Sequence, residues 1–384
     1  MRGRAVSAAE AAAIDSIARR VRGPLGGMCI AYPFGFGVDK ARRIGAGRDV
    51  AEQTRAGAKR TMVRQDEAVA EIGLLIYPGC QLAAIYGLTD LFRIAGEWAG
   101  EQGRFIRVSH WQPIGDDVDC VWDSDPGAPH RLSHAIAPPS IVLPERMAPA
   151  PEAARWLRNR HSEGTVLCSV CAGAFVLAET GLIDGRRVTT HWAFAAQLAR
   201  RFPAIRLAEE HMVLDEGDIL TAGGILAWAD LGLTLVERLL GPATMLATAR
   251  FLLIDPPRSS QRPFAQFVPH FDHGDEAIRR AQHHVHAHAS EHLSMSDLHV
   301  IAGMTERTFL RRFTAATGLR PIEYLQQVRI AKAREALERT LTPVDRIAWD
   351  VGYSDPAAFR KLFLKLTGTT PAAYRQRFGI SGAE

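Results

Sequence analysis

The chain has 384 residues, of which 47% are apolar and 23% charged, and its formal net charge is +4. That length supports two or three domains with a sizeable core. The sequence has no apolar run near the ~20 residues of a membrane helix and does not open on a basic segment followed by an apolar one. These features exclude membrane and exported proteins, and we expect a cytoplasmic location.

Cysteines and charges are spread unevenly. The five cysteines are an odd number without a metal-like spacing, so we expect reduced thiols and neither a metal nor a cofactor. The net charge is +6 over residues 1–70, −6 over residues 71–290 and +4 over residues 291–384. An acidic middle beside a basic end is typical of a small-molecule domain joined to a nucleic-acid domain, although an ordinary solvated surface gives the same small excess.

Residues 1–70 form a first segment rich in alanine, glycine and arginine. This composition buries too little apolar surface to offset chain entropy, so we expect disorder with one amphipathic helix near residues 8–21. Two interpretations stay open. The segment is either a mis-annotated extension, with translation starting at Met62, or a basic arm that touches DNA.

Residues 71–254 alternate between short apolar runs and helical periodicity, which predicts a mostly parallel sheet covered on both faces. Strands are predicted at residues 72–77, 105–111, 139–143 and 166–169. Helices are predicted at residues 81–98, 152–161, 192–202, 227–240 and 243–253. A hairpin is predicted around residues 215–218.

The point in this domain that suggests chemistry is Cys171, where an apolar strand runs directly into a helix. A small nucleophile at such a turn is typical of a nucleophile elbow, in which the helix N-terminus favours a thiolate. His191 follows the next short strand, so a Cys–His pair is possible. The alternatives are a small buried side chain for Cys171 and a locally bonded helix-terminal residue for His191.

Residues 72–253, and most specifically residues 171–173, 181–185 and 189–192, resemble the class I glutamine amidotransferase-like superfamily, in particular its PfpI-like branch found in GlxA-type regulators. The resemblance implies an α/β flavodoxin-like sandwich. Two positions depart from the enzymes of that superfamily. Glu145-Arg146 replaces a Gly-Gly that would serve an oxyanion, and Ala84 stands where an acidic residue is usual.

These departures favour a retained but non-catalytic ligand pocket over a working cysteine hydrolase, since fold alone does not confer function. The carboxyl ends of the strands are where small molecules bind in open α/β sheets. The predicted pocket residues are Cys171, Ala172, Gly173, His191, Trp192 and Pro144.

Residues 255–276 are predicted to be a linker, because prolines and polar residues there cannot continue a helix. A helix is predicted at residues 277–288. Eight of the fourteen histidines fall between His270 and His299, and His284 and His288 have a spacing at which a helix could bind a metal. Without a cysteine or clustered carboxylates, we favour a solvated helix face.

Residues 277–384 carry one local pattern twice, fifty residues apart: Phe309, Phe313, Thr317, Gly318, Pro321 and Tyr324 recur as Phe359, Phe363, Thr367, Gly368, Pro371 and Tyr374. A fixed offset indicates one supersecondary unit used twice. A short helix and a glycine turn precede each copy, which predicts helix-turn-helix units at residues 294–318 and 343–368. With residues 303–309 and 347–353, these segments resemble the all-α DNA-binding domain of the AraC/XylS transcription regulators.

Residues near the start of a recognition helix reach base edges in the major groove, and flanking cations contact phosphate. The first recognition helix is predicted at residues 305–317 with Thr305 as its cap, and the second at residues 355–366. A long helix at residues 321–339 would hold the two about 34 Å apart. The predicted DNA contacts are Thr305, Glu306, Arg307, Leu310, Arg311 and Arg312 in the first unit and Ala357, Arg360, Lys361 and Lys365 in the second.

Together the two resemblances imply a homodimeric regulator, an activator, that binds double-stranded promoter DNA and RNA polymerase and senses an amino acid or a quaternary amine. The alternative is a cysteine-dependent hydrolase or glyoxalase-like enzyme fused to a DNA-binding domain. A third possibility is control by a protein partner or by oxidation of Cys171.

Overall fold

The computed structural model describes residues 67–99 and 103–380, so the expectations for residues 1–66 lie outside the described part of the chain. The described strands are β1 Glu67–Leu75, β2 Arg104–Ile114, β3 Asp117–Asp123, β4 Leu132–Ala137, β5 Val166–Val170, β6 Arg187–Val188, β7 Arg206–Leu207, β8 Val213–Asp215 and β9 Ile219–Ala222. Two short 3₁₀ helices span Pro144–Arg146 and Trp192–Phe194.

The α-helices fall into two groups on either side of residue 260. The first group is α1 Leu82–Trp98, α2 Pro151–Ser162, α3 Gly173–Ala178, α4 Ala195–Arg201, α5 Trp228–Leu240 and α6 Pro242–Phe251. The second is α7 Glu276–His288, α8 Met295–Ala302, α9 Glu306–Thr317, α10 Pro321–Arg339, α11 Val344–Asp350, α12 Pro356–Thr367 and α13 Pro371–Phe378. Within the described ranges, no helix has both the length and the apolarity to cross a bilayer.

The first group of helices surrounds a seven-stranded sheet of order β3-β2-β1-β4-β5-β9-β8. Strands β2, β1, β4, β5 and β9 run parallel, and β3 and β8 pair antiparallel at the two edges. Strand order reverses at β1, because β2 lies on one side of it and β4 and β5 on the other. The predicted, mostly parallel α/β sandwich is therefore confirmed, and the hairpin around residues 215–218 joins β8 to β9.

The strand predicted at residues 139–143 is wrong, as that stretch follows the strand instead of forming it. β4 ends at Ala137 because Pro138 and Pro139 have no N–H with which to continue the ladder. Ser140 then forms only an isolated bridge with Cys80. The helix predicted at residues 192–202 is divided into a 3₁₀ turn and α4.

Two aromatic cores built in the same way stabilise the second group of helices. Phe313 packs edge-on against Tyr324 at a ring separation of 5.3 Å, and Phe363 packs in the same manner against Tyr374 at 5.5 Å. Helix α10 contributes Tyr324 to the first core and Leu337 to the second. One helix therefore belongs to both helix-turn-helix units and fixes one relative to the other.

The segment between the two groups is anchored to the α/β domain. Arg258 forms a two-pronged ion pair with the buried Asp230, with 2.6 Å between Nη2 and Oδ2. Gln261 is only 2% exposed, and its Nε2 donates to the carbonyls of Thr190 at 2.8 Å and His211 at 3.0 Å. A Cβ on Gly223 would lie 1.8 Å from that nitrogen, so a glycine is needed there for the amide to enter.

Candidate functional site

The strand-to-helix turn after β5 is strained, as an elbow requires. Cys171 has φ 54°, in the left-handed region that non-glycine residues rarely adopt. Its N–H donates to the Ala222 carbonyl at 2.7 Å, and its carbonyl accepts from Thr190 Oγ1 at 2.7 Å. Gly173 allows α3 to approach β4, since a Cβ there would lie 2.3 Å from the Ala137 carbonyl oxygen.

The chemistry at this elbow differs from the thiolate that the sequence predicted. Cys171 is 1% exposed, and burial raises the pKa of its thiol to about 12, overriding the Ala172 N–H that lowers it. Among the described residues no hydrogen bond joins Cys171 to His191. The His191 Nδ1 instead accepts from the Ala193 N–H at 3.1 Å, capping the 3₁₀ turn locally. Burial therefore favours the neutral thiol over the thiolate that the sequence predicted.

The other predicted pocket residues surround the elbow unevenly. Ala172 and Gly173 are buried at the start of α3, and Pro144 is buried at the start of its 3₁₀ turn. Trp192 is half-buried, and the centroid of its ring lies 5.4 Å from that of the His191 ring. Ala84 is fully buried in the first turn of α1, so this position supplies no carboxylate.

The first recognition helix, α9, has the two faces that the sequence predicted. Phe309 and Phe313 are fully buried, whereas Arg307, Leu310 and Arg311 are exposed on one side at helical spacing. Neither of these arginines forms an ion pair with any described residue, so both guanidinium groups are available to bases. Such a planar group suits guanine, which offers two acceptors in the major groove.

Thr305 and Arg312 in the first unit make contacts that the sequence did not predict. Thr305 precedes the helix in extended conformation, but its Oγ1 donates to Thr308 Oγ1 at 3.1 Å and caps no backbone N–H. Glu306 is exposed in the first turn. Arg312, predicted to contact phosphate, donates two hydrogen bonds of 2.8 Å to the Asp275 carboxylate. Its guanidinium lowers the pKa of Asp275. This pair ties α9 to the start of α7.

The second recognition helix, α12, exposes Ala357, Arg360 and Lys361 on the face equivalent to that of α9. Arg360 forms an ion pair with Asp345 of the supporting helix α11, so DNA would have to compete for it. Lys365 is exposed as well, but it lines a cavity next to the segment after Gln261. The first unit therefore offers more unpaired arginine to DNA than the second.

The histidine-rich helix α7 shows local contacts. The rings of His284 and His288 stack 4.1 Å apart, and His288 Nδ1 lies 3.0 Å from the His284 carbonyl oxygen. In the described part of the chain, no three His, Cys, Asp or Glu side chains are grouped so as to hold a metal.

Comparison with known proteins identifies both halves. A model of the DJ-1/PfpI family matches residues 141–238, and a model of a helix-turn-helix domain matches residues 298–377. The HTH-type transcriptional regulator GlxA of Rhizobium meliloti (strain 1021) is 28% identical over 226 residues, which are 58% of this chain and 69% of GlxA. The chain is an AraC-family helix-turn-helix regulator with an N-terminal DJ-1/PfpI domain.

Two further relatives show how far each kind of similarity extends. The regulator GbdR of Pseudomonas aeruginosa (strain UCBPP-PA14) is 22% identical over 322 residues, 81% of this AraC-family chain and 86% of GbdR. Isonitrile hydratase of Pseudomonas putida is 37% identical over 89 residues, 23% of this chain and 38% of that protein. The similarity to a regulator therefore crosses both domains, whereas the similarity to an enzyme extends over 89 residues.

Proposed function

We propose that this DNA-binding regulator is a cytoplasmic activator that responds to a small metabolite bound by its DJ-1/PfpI domain. It would bind promoter DNA as a homodimer and contact RNA polymerase. The observation that carries the proposal is the pair of exposed recognition helices fixed on one shared helix, with Arg307 and Arg311 unpaired among the described residues. An amino acid or a quaternary amine is the effector class implied by the family resemblance.

The DJ-1/PfpI domain is proposed to bind its ligand without catalysis. This is supported by the neutral, buried Cys171, by the local bonding of His191 and by the absence of a carboxylate at Ala84. The candidate pocket residues around the elbow remain part of this proposal. Burial of Cys171 also disfavours control by its oxidation, which needs an accessible thiolate.

The test of the regulator is a footprint of the DNA upstream of its own gene, repeated with a panel of amino acids and quaternary amines. We expect protection over two adjacent major grooves, changed by at least one compound. Uniform protection without sequence preference would contradict specific recognition, and protection unaffected by every compound would contradict the effector.

A cysteine-dependent hydrolase or glyoxalase-like enzyme is the second candidate, favoured by the strained φ of Cys171. The Cys171→Ala variant separates the two. We expect DNA binding and the response to metabolite to survive, since a neutral buried thiol has the role of a small apolar side chain. Turnover of an ester or a ketoaldehyde by the wild type, abolished in this variant, would instead establish the enzyme.

A further inference from the structure

A cavity of about 480 Å³ lies where the α/β domain, the anchored segment and the helical domain meet. Trp192, Glu209 and Glu210 line it from the α/β domain, Arg262 from the segment, and Arg334 and Lys365 from the helical domain. This volume is in the usual range for small-molecule sites, which often form between domains. The cavity is lined both by Trp192, which was predicted to bind ligand, and by Lys365, which was predicted to bind DNA.

Arg334 in the wall of this cavity is a buried cation without an anion. It is 8% exposed, and its two terminal nitrogens donate to the carbonyls of Arg262, at 2.8 Å, and Ala265. Its Nε is buried without a hydrogen-bond partner among the described residues, and its Cζ lies 5.4 Å from the centroid of the Tyr374 ring. Arg334 forms no ion pair with a described carboxylate, so a ligand would approach its terminal nitrogens. Glu338, one turn further along α10, accepts instead from the Tyr374 hydroxyl at 2.5 Å.

A buried guanidinium without a nearby anion destabilises the folded state unless a negative charge offsets it. Buried charges in proteins are as a rule paired, because removal from water disfavours the charged form. Burial accordingly lowers the pKa of Arg334. An anion bound beside the guanidinium would remove this penalty.

The remaining walls limit what that anion can be. Arg262 and Lys365 add two exposed cations near Arg334, and neither forms an ion pair within the described residues. Glu209 and Glu210 place carboxylates on the α/β side of the cavity. A ligand complementary to both sides has a carboxylate at one end and hydrogen-bond donors at the other, with an apolar middle against Trp192.

We propose that this interdomain cavity binds a small organic carboxylate, with Arg334 as its principal partner and Lys365 as a second. The inference rests on the proposed function, which requires a metabolite site on the DJ-1/PfpI domain. It places that site at the boundary with the helical domain, where Trp192 is the residue that the cavity shares with the pocket predicted at the elbow. A ligand held there engages a lysine otherwise exposed on the second recognition helix, and it contacts the residue that follows Gln261. Binding would thus alter the helical domain directly.

The test measures the thermal midpoint of the full chain at constant ionic strength with four probes. Glutarate and 5-aminopentanoate carry carboxylates. Glutaramide and 5-aminopentanamide carry uncharged amides in their place, and the amine of 5-aminopentanamide stays protonated as it is in 5-aminopentanoate. We expect saturating 5-aminopentanoate to raise the midpoint of the wild type by about 2–4 °C, because a ligand that binds only the folded state stabilises it. Glutarate should give a smaller rise, because its second carboxylate faces Glu209 and Glu210. The amides should leave it unchanged. Equal shifts with acid and amide, or no shift with either acid, would overturn the proposal.

Variants locate the site. Arg334→Gln should abolish the shift, and Lys365→Gln should weaken apparent affinity several-fold. Ala331→Leu fills the cavity while keeping Arg334, so it should also abolish the shift even if Arg334→Gln fails to fold. Ala372→Leu, the same change at an exposed position on α13, is the matched control and should respond as the wild type does. A full response in Ala331→Leu would contradict this location.

Binding of promoter DNA by the wild type without carboxylate is measured in parallel. Intact DNA binding without a carboxylate-induced shift of the midpoint would contradict the cavity site and remain consistent with a DNA-binding regulator. A carboxylate-induced shift without DNA binding would support the cavity site and contradict the regulator.

Discussion

Arg311 extends from the exposed face of α9 and forms no ion pair with the described residues, so none of these residues competes with DNA for it. We expect Arg311→Gln to weaken binding to the true site by about 1–3 kcal/mol and to relax preference at one base pair. Binding-site selection followed by fluorescence anisotropy measures both effects. Arg93→Gln, an equal loss of charge on an exposed position of α1, is the control. An unchanged base preference in Arg311→Gln would refute the assignment.

The backbone at the end of β4 leaves no room for a side chain at Gly173. An added Cβ would meet the carbonyl oxygens of Ala137 at 2.3 Å and Pro138 at 2.6 Å, and neither can move as a side chain would. We expect Gly173→Ala to destabilise the domain by about 1–3 kcal/mol through overpacking. Urea unfolding measures this. Wild-type stability in the variant would mean that α3 shifts freely away from β4.

At the scale of elements, the side chain of Gln261 anchors the segment between the two domains to the α/β domain. Gln261→Ala leaves the carbonyls of Thr190 and His211 without a buried donor, which should cost about 1–3 kcal/mol. Gln261→Glu should be worse, because a carboxylate would face those carbonyls. Amide hydrogen exchange across residues 258–262 should rise in both. Gln266→Ala, exposed in the same segment, serves as the control, and equal exchange in all three variants would contradict the anchoring role.

The sequence was informative where a structural unit is specified by nearby residues. Phe363 and Tyr374 could be placed from Phe313 and Tyr324 because the local pattern of each helix-turn-helix unit determines its own packing. Gln261 could not be foreseen, since a polar residue between prolines has no local signature and its partners are fifty to seventy-two residues distant.

The edge strand β3 and the elbow at Cys171 also depend on residues that are distant in the sequence. β3 was not predicted, because alternating acidic residues over Asp117–Asp123 resemble a solvated loop until the partner strand is known. The strained turn at Cys171 followed from its small neighbours, but the protonation of its thiol depends on burial by distant elements. The ion pair of Arg312 with Asp275 was not predicted, because the two residues lie thirty-seven positions apart in the sequence.

For the whole molecule, buried histidines predict acid sensitivity. His110 Nε2 lies 2.8 Å from Thr89 Oγ1, which already donates to the Ile85 carbonyl, so the neutral ring must donate to Thr89. The rings of Tyr86 and Trp122 also face it. Burial lowers the pKa of His110 from 6.5 to about 4. The unfolded chain therefore takes up its proton first as the pH falls, and the stability present above pH 6.5 is lost between pH 6.5 and 4.

That loss can be measured by urea unfolding at about pH 7 and about pH 5. Between these two pH values the contribution of His110 is up to roughly 2 kcal/mol, because only the 1.5 units from pH 6.5 to 5 count, at 1.36 kcal/mol each. His110→Gln, which does not titrate, should show a smaller fall in stability between these two pH values. An identical fall in wild type and variant would show that other groups account for it.

The shared helix α10 has a consequence for how a promoter is read. It holds two recognition helices that are no longer alike, one with Arg307 and Arg311 and the other with Ala357 and Lys361 at the equivalent positions. A bound chain is therefore asymmetric from end to end and points in one direction along the duplex. The order of its strong and weak half-sites would distinguish two copies that face the same way from two that face each other.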